Sequence, residues 1–157
     1  MKINHINNTN FKAKLDVSKC KNYKPYWDAV AKNFEERTMY KKGTLILSPA
    51  NFGNAPNFLI KGSETKISCD TNIFNRLTNS YPIEIAEILA KLFVLGKEFN
   101  KEINSIDKSF QKTYGRITAN NFEQYMEIAN QKEDEINKKI AERIASDETL
   151  EGFSITV

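Results

Sequence analysis

The sequence predicts an α+β fold: a largely antiparallel sheet of four to five strands, helices on one face of it, and a long antiparallel helical hairpin over about 82–147 that partly projects. Three observations carry this prediction. Short stretches in which apolar and polar residues alternate recur between 11 and 70 and again at 152–157, the period of a half-buried strand. From Pro82 onward the apolar residues recur instead at steps of three and four, a helical period kept up over most of the remaining chain. The connections between the central strands are short and rich in Gly, Pro and Asn, and tight turns join antiparallel neighbours.

The 157 residues read as one domain, long enough to bury a core without disulfides or metals. Residues 1–10 are polar and Asn-rich, a loose N-terminal arm without periodicity, and 11–81 form a strand, helix and three-strand body. Phe11, Ala13, Leu15 and Val17 alternate with Lys12, Lys14 and Asp16 as the first strand. Pro25 opens a helix whose stripe is Trp27, Val30, Ala31 and Phe34; Asp28 and Lys32 have the spacing of an ion pair along it, and Lys41-Lys42-Gly43 ends it. Strands follow at 44–48, 57–61 and 64–70. Between the last two, Gly62-Ser63 has the composition of a two-residue type II′ turn, which sets Phe58 opposite Ile67 and Ile60 opposite Thr65. The loop 49–56 carries Phe52 at its centre, 71–79 is a short helix with Ile73, Phe74 and Leu77, and Phe153, Ile155 and Val157 make a terminal strand.

In the hairpin, Leu89, Leu92, Gly96, Phe99, Ile103, Ile106 and Phe110 form one seam, and such a seam faces a partner helix. Pro82 suits its first turn and Gly115 its end, near Tyr114. The second helix starts from Thr118 or Asn120, with Glu123 at capping-box spacing, and carries Phe122, Met126, Ala129, Ile136, Ile140 and Ile144. Folding about Arg116 sets Phe110 near Phe122 and Ile106 near Met126, with Glu133 interrupting the seam. A straight helix over 82–114 would be about 50 Å long, against a globule about 40 Å across. The half nearer Arg116, with its narrow seam, is therefore the end expected to project.

The chemistry is bounded mainly by what is scarce. His5 is the single histidine, and Cys20 and Cys69 stand far apart without a CxxC spacing. A Ser-His-Asp or Cys-His centre and a multi-histidine metal site lack their parts, and the cysteines read as reduced thiols of a cytoplasmic protein. The six glycines give no phosphate-cradling pattern. Glu133, Asp134 and Glu135 point in different directions around a helix and read as a solvated face. No catalytic residue, cofactor or metal is assigned, and the chain is expected to be no enzyme, although an unrecognised site remains an alternative. No membrane-spanning run of residues and no apolar leader segment are expected.

Contact surfaces remain. The net charge of +3 is unevenly spread: residues 1–43 carry ten Lys and Arg against four Asp and Glu. Lys12, Lys14, Lys19, Lys21 and Tyr23, close to Tyr26 and Trp27, are candidate nucleic-acid contacts through phosphate pairing and base stacking. At the turn of the hairpin, Lys108, Lys112, Tyr114, Arg116 and Ile117 combine types enriched in protein contacts. The first expectation is a non-catalytic module that binds another protein, or itself, through the hairpin. That class covers an adaptor, a chaperone-like protein, or an inhibitor of host machinery of the kind mobile elements carry. A nucleic-acid-binding accessory role through the basic front is the alternative.

Overall fold

The computed structural model describes residues 12–39, 41–49 and 56–157, without the side chains of Phe74, Leu77 and Thr78. The N-terminal arm 1–10, Phe11 and Phe52 lie outside the described residues. Five strands, β1 (Lys14–Asp16), β2 (Thr44–Ser48), β3 (Asn57–Ile60), β4 (Lys66–Cys69) and β5 (Phe153–Thr156), form one sheet in chain order. The helices are α1 (Lys24–Arg37), α2 (Thr71–Thr78), α3 (Pro82–Asn104), α4 (Ile106–Tyr114) and α5 (Phe122–Ala145), with a 3₁₀ turn at Glu148–Leu150.

The fold is α+β, but the sheet is mixed rather than largely antiparallel: β1 runs parallel to β2, with Leu15 beside Leu45, while the other pairings are antiparallel. The physical reason is α1. A helix between two adjacent strands carries the chain back to the starting end, so the strand after it runs parallel. Register follows the apolar pattern. Leu45 pairs Ile60, Leu47 pairs Phe58, Phe58 pairs Ile67 and Ile67 pairs Ile155. All of these are buried on one face, as period-two alternation requires. The β3–β4 turn differs from the type II′ expectation. Ser63 N–H donates to the Ile60 carbonyl at 3.2 Å, so Gly62, at φ 82°, stands third in the turn, where type II also needs a positive φ.

α1 starts with Pro25 in its first turn and buries Trp27, Val30 and Phe34, leaving Ala31 half-buried. Asp28 pairs backward with Lys24 at 3.0 Å rather than with Lys32. α3 is the central element, packing on α1, α5 and the sheet and burying Leu89, Leu92, Gly96 and Phe99. Phe34 and Phe93 meet edge to face at 5.5 Å. Gly96 lets α3 lie close on the sheet, since a Cβ there would come 2.8 Å from Ile60 Cδ1. At Gly96 the expected seam thus faces the sheet.

The helical run 82–114, 33 residues from the start of α3 through Ser105 to the end of α4, is bent rather than straight. Ser105 breaks it: its N–H donates to Glu102 and its hydroxyl donates to the same carbonyl at 2.7 Å. Serine hydroxyls compete in this way with the helical ladder and bend it. α4 ends at Gly115, at φ 82°, as expected. α5 begins at Phe122 behind Asn121, not at Thr118 or Asn120. The Asn121 side chain secures the connection, accepting from Thr118 N–H at 2.8 Å and donating to the Arg116 carbonyl at 3.0 Å.

Phe110 packs on Tyr125, one turn further into α5 than the expected Phe122. Lys91 pairs with Asp147 at 3.1 Å and Arg143 with Glu98 at 3.7 Å. Glu133 is exposed.

Candidate functional site

At the end of the helical region four aromatic rings gather. Phe110, buried on α4, lies 4.9 Å from Tyr114 and 5.3 Å from Tyr125, and Phe122 lies 6.2 Å from Tyr125. The Tyr125 hydroxyl donates to the Asp107 carboxylate, which pushes the phenol's pKa up because the bond favours the protonated form. Around this cluster Tyr114 is 49% exposed, Phe122 50% and Met126 39%. Phe122 and Met126 belong to the apolar stripe read from the sequence, yet they face water because Tyr125 takes the inward position.

The residues predicted for this site are divided by the fold. Lys108, Lys112 and Tyr114 are exposed on α4, and Arg116 and half-buried Ile117 lie in the connection. Periodicity counted Phe122 and Met126 as core and so missed them as surface.

The basic front is dispersed. Lys12 and Lys14 are exposed at the β1 edge, and Lys19 and Lys21 lie in the turns before α1. Tyr23 is 81% exposed and holds a left-handed backbone at φ 57°, just ahead of α1. Trp27 is buried, and Tyr26 meets it edge to face at 5.6 Å while donating its hydroxyl to the Ser80 carbonyl at 3.1 Å. Those two rings belong to the core, which leaves Tyr23 as the exposed ring of the segment.

Two further concavities have distinct linings. A groove of about 690 Å³ runs between the second half of α5 and β5, lined by Ile140, Ile144, Phe153 and Ile155, with Asp147 and Glu151 at its end. A cavity of about 430 Å³ opens where α3 passes the β3–β4 turn, and Lys42, Lys61, Lys97 and Lys101 line it. The Lys97 ammonium lies 5.4 Å from the centre of the Phe93 ring and donates to the Lys42 carbonyl. Burial, and then the charge of Lys41, lowers its pKa.

Among the described residues no three His, Cys, Asp or Glu side chains are grouped to hold a metal ion, and no helix is long and apolar enough to cross a membrane. Cys20 and Cys69 are free thiols, and burial pushes Cys69 up to about 11, aided by Asp70. No family model, curated protein or solved structure matches the chain.

Proposed function

We propose that the chain is a protein-binding module, and that α3–α4 and α5 act as an antiparallel hairpin whose far end projects and engages a protein partner. The observation that carries this reading is the aromatic end: Tyr114, Phe122 and Met126 stand half in water around the Phe110–Tyr125 pair. Large apolar side chains gathered on a surface mark contact sites, and aromatic anchors dominate binding energy when a partner desolvates them. The ion pairs Lys91–Asp147 and Glu98–Arg143, and the Asp107–Tyr125 bond, support the hairpin, because residues later in one run meet residues earlier in the other. Lys108, Lys112 and Arg116 supply a basic rim, fitted to an acidic surface on the partner. An adaptor, a chaperone-like protein and an inhibitor of host machinery all use such an end in the same way.

The test compares three proteins in crosslinking capture from the source cell: wild type, Tyr114→Ala with Phe122→Ser, and Ala141→Glu in the groove beside β5. The reading expects a specific crosslinked partner to be lost in the first variant and retained in the second. Light scattering on the same proteins measures self-association, which the aromatic variant should abolish if the partner is a second copy. Retention of every partner by the aromatic variant, or loss only with Ala141→Glu, refutes the proposal.

A further inference from the structure

We propose that the cavity between α3 and the β3–β4 turn is a phosphate-binding site in which Lys61, Lys97 and Lys101, with Lys42 at the rim, pair with the oxygens of a multiply charged phosphate group. The first ground is its composition. Four lysines line it, from the segment before β2, the β3–β4 turn and α3, and no carboxylate is among its described lining residues. Like charges from separate segments repel, so their convergence in a concavity favours an anion there.

The second ground is the arrangement on α3. Lys97, Asn100, Lys101 and Asn104 all line the cavity, and steps of three, one and three keep them on one helical face over about 10 Å. Ammonium and amide groups can all donate, and phosphate oxygens accept. Charge-assisted bonds to phosphate are among the stronger ones.

The third ground is Lys97 itself. Its head is half-buried over Phe93, where Gly43 leaves room: a Cβ on Gly43 would lie 3.2 Å from Phe93 Cζ and 3.4 Å from Lys97 Nζ. A cation partly removed from water among other cations is an arrangement that a bound anion would stabilise. The tight seating of α3 at Gly96, over Ile60 and Thr65, holds this face against the turn. The same chemistry is offered by a free polyphosphate-type ligand and by the backbone of a nucleic acid, and the experiment distinguishes them.

The full chain is titrated with inorganic tripolyphosphate by calorimetry and, separately, with a fluorescein-labelled single-stranded oligonucleotide by anisotropy over a series of salt concentrations. Lys61→Gln with Lys101→Gln removes two exposed charges of the site, and Lys32→Gln with Lys138→Gln removes two elsewhere. The site variant should weaken binding by about tenfold per lysine, and the control variant by no more than about twofold because distant surface charges are screened. For the oligonucleotide, the slope of log K against log salt should fall by about 1.4 in the site variant.

Tripolyphosphate binding lost in the site variant supports a free phosphate ligand, and oligonucleotide binding alone, lost in the same way, supports a nucleic acid. Lys61→Arg with Lys101→Arg should restore either. Absence of binding to both, or equal losses in the site and control variants, overturns the proposal. Should the site variant melt lower than wild type, the melting temperature of wild type with tripolyphosphate or oligonucleotide decides: a rise upholds the site, and no rise with either refutes it.

Discussion

Gly152→Ala should be among the most damaging single-methyl changes in the chain, and the structure gives its size. Gly152 has φ 85°, and a Cβ there would lie 2.9 Å from Ile73 Cβ, closer still to its Cγ1, and 3.1 Å from an Asp70 carboxylate oxygen. An alanine in the left-handed region costs about 1–2 kcal/mol. Overpacking adds about 1–3 kcal/mol, since Ile73 Cβ is fixed by its own backbone and cannot swing away. The sum is about 2–5 kcal/mol, a large part of the roughly 5–15 kcal/mol that holds a domain of this kind folded. Gly62→Ala is the natural comparison, because Gly62 has φ 82° with nothing within 4 Å of its Cβ position. It should cost only the conformational part, about 1–2 kcal/mol.

Urea unfolding followed by circular dichroism, with the slope checked for constancy, measures both variants. A local readout comes from Asp70, whose carboxylate accepts from Ile73 N–H at 2.7 Å at the start of α2 and whose N–H donates to the Gly152 carbonyl at 3.1 Å. Crowding at 152 should therefore speed amide exchange in α2. Equal destabilisation by the two alanines, with α2 protection unchanged, would refute the seating of α2 on the start of β5.

Three further predictions test other parts of the fold. Leu92, fully buried in α3, should cost about 2–5 kcal/mol as alanine, whereas Tyr114→Ala, 49% exposed, should cost under about 1 kcal/mol; similar costs in thermal unfolding would mean that the aromatic end is packed away. Cys20 and Cys69 are free thiols, so reductant should leave the melting temperature unchanged, and Cys69, its pKa raised to about 11, should react with iodoacetamide at pH 8 far more slowly folded than unfolded. Asp147 has its carboxyl lowered below 3.8 by hydrogen bonds from Thr149 and Lys91. The stability it contributes is present above that value and lost as pH falls through the lower folded one. Wild type should therefore exceed Asp147→Asn in stability at pH 6, and the difference should shrink below about pH 4; a gap that persists unchanged at pH 2 would contradict the ionised pairing.

Much of the architecture was legible because it depends on neighbours in sequence. Alternation located all five strands, Pro82 and Gly115 bounded the long run, and the Phe58–Ile67 register followed from the turn at Gly62. What was not legible depended on packing. The parallel β1–β2 pair arises from how α1 returns the chain, and the bend comes from the Ser105 hydroxyl choosing the Glu102 carbonyl. The register of α5 rests on the Asn121 side chain bonding back to Arg116 and Thr118, which delays the helix start. Phe122 and Met126, expected in the core, are exposed because Tyr125 takes the inward position between them.

The two candidate sites differ in how far sequence could have reached them, and the reason is the range over which each is assembled. The aromatic end is built from residues 107–126, a local stretch, and only its side-chain directions were misread. The lysine cavity joins residues 42, 61, 97 and 101, which a charge profile assigns to three different regions. The excess of Lys and Arg in residues 1–43 drew attention to the front of the chain, yet Lys61, Lys97 and Lys101 come from the part that is acidic overall. Net charge of a segment is a sum along the chain, whereas an anion responds to the charges around one point in space. The sheet provides that point: Lys61 N–H donates to the Thr44 carbonyl at 2.9 Å, and Lys14 N–H to the Gly43 carbonyl at 3.0 Å. Backbone pairing thus draws the basic first strand, the segment carrying Lys42 and the turn carrying Lys61 alongside one another, while Gly96 sets the lysine face of α3 against them.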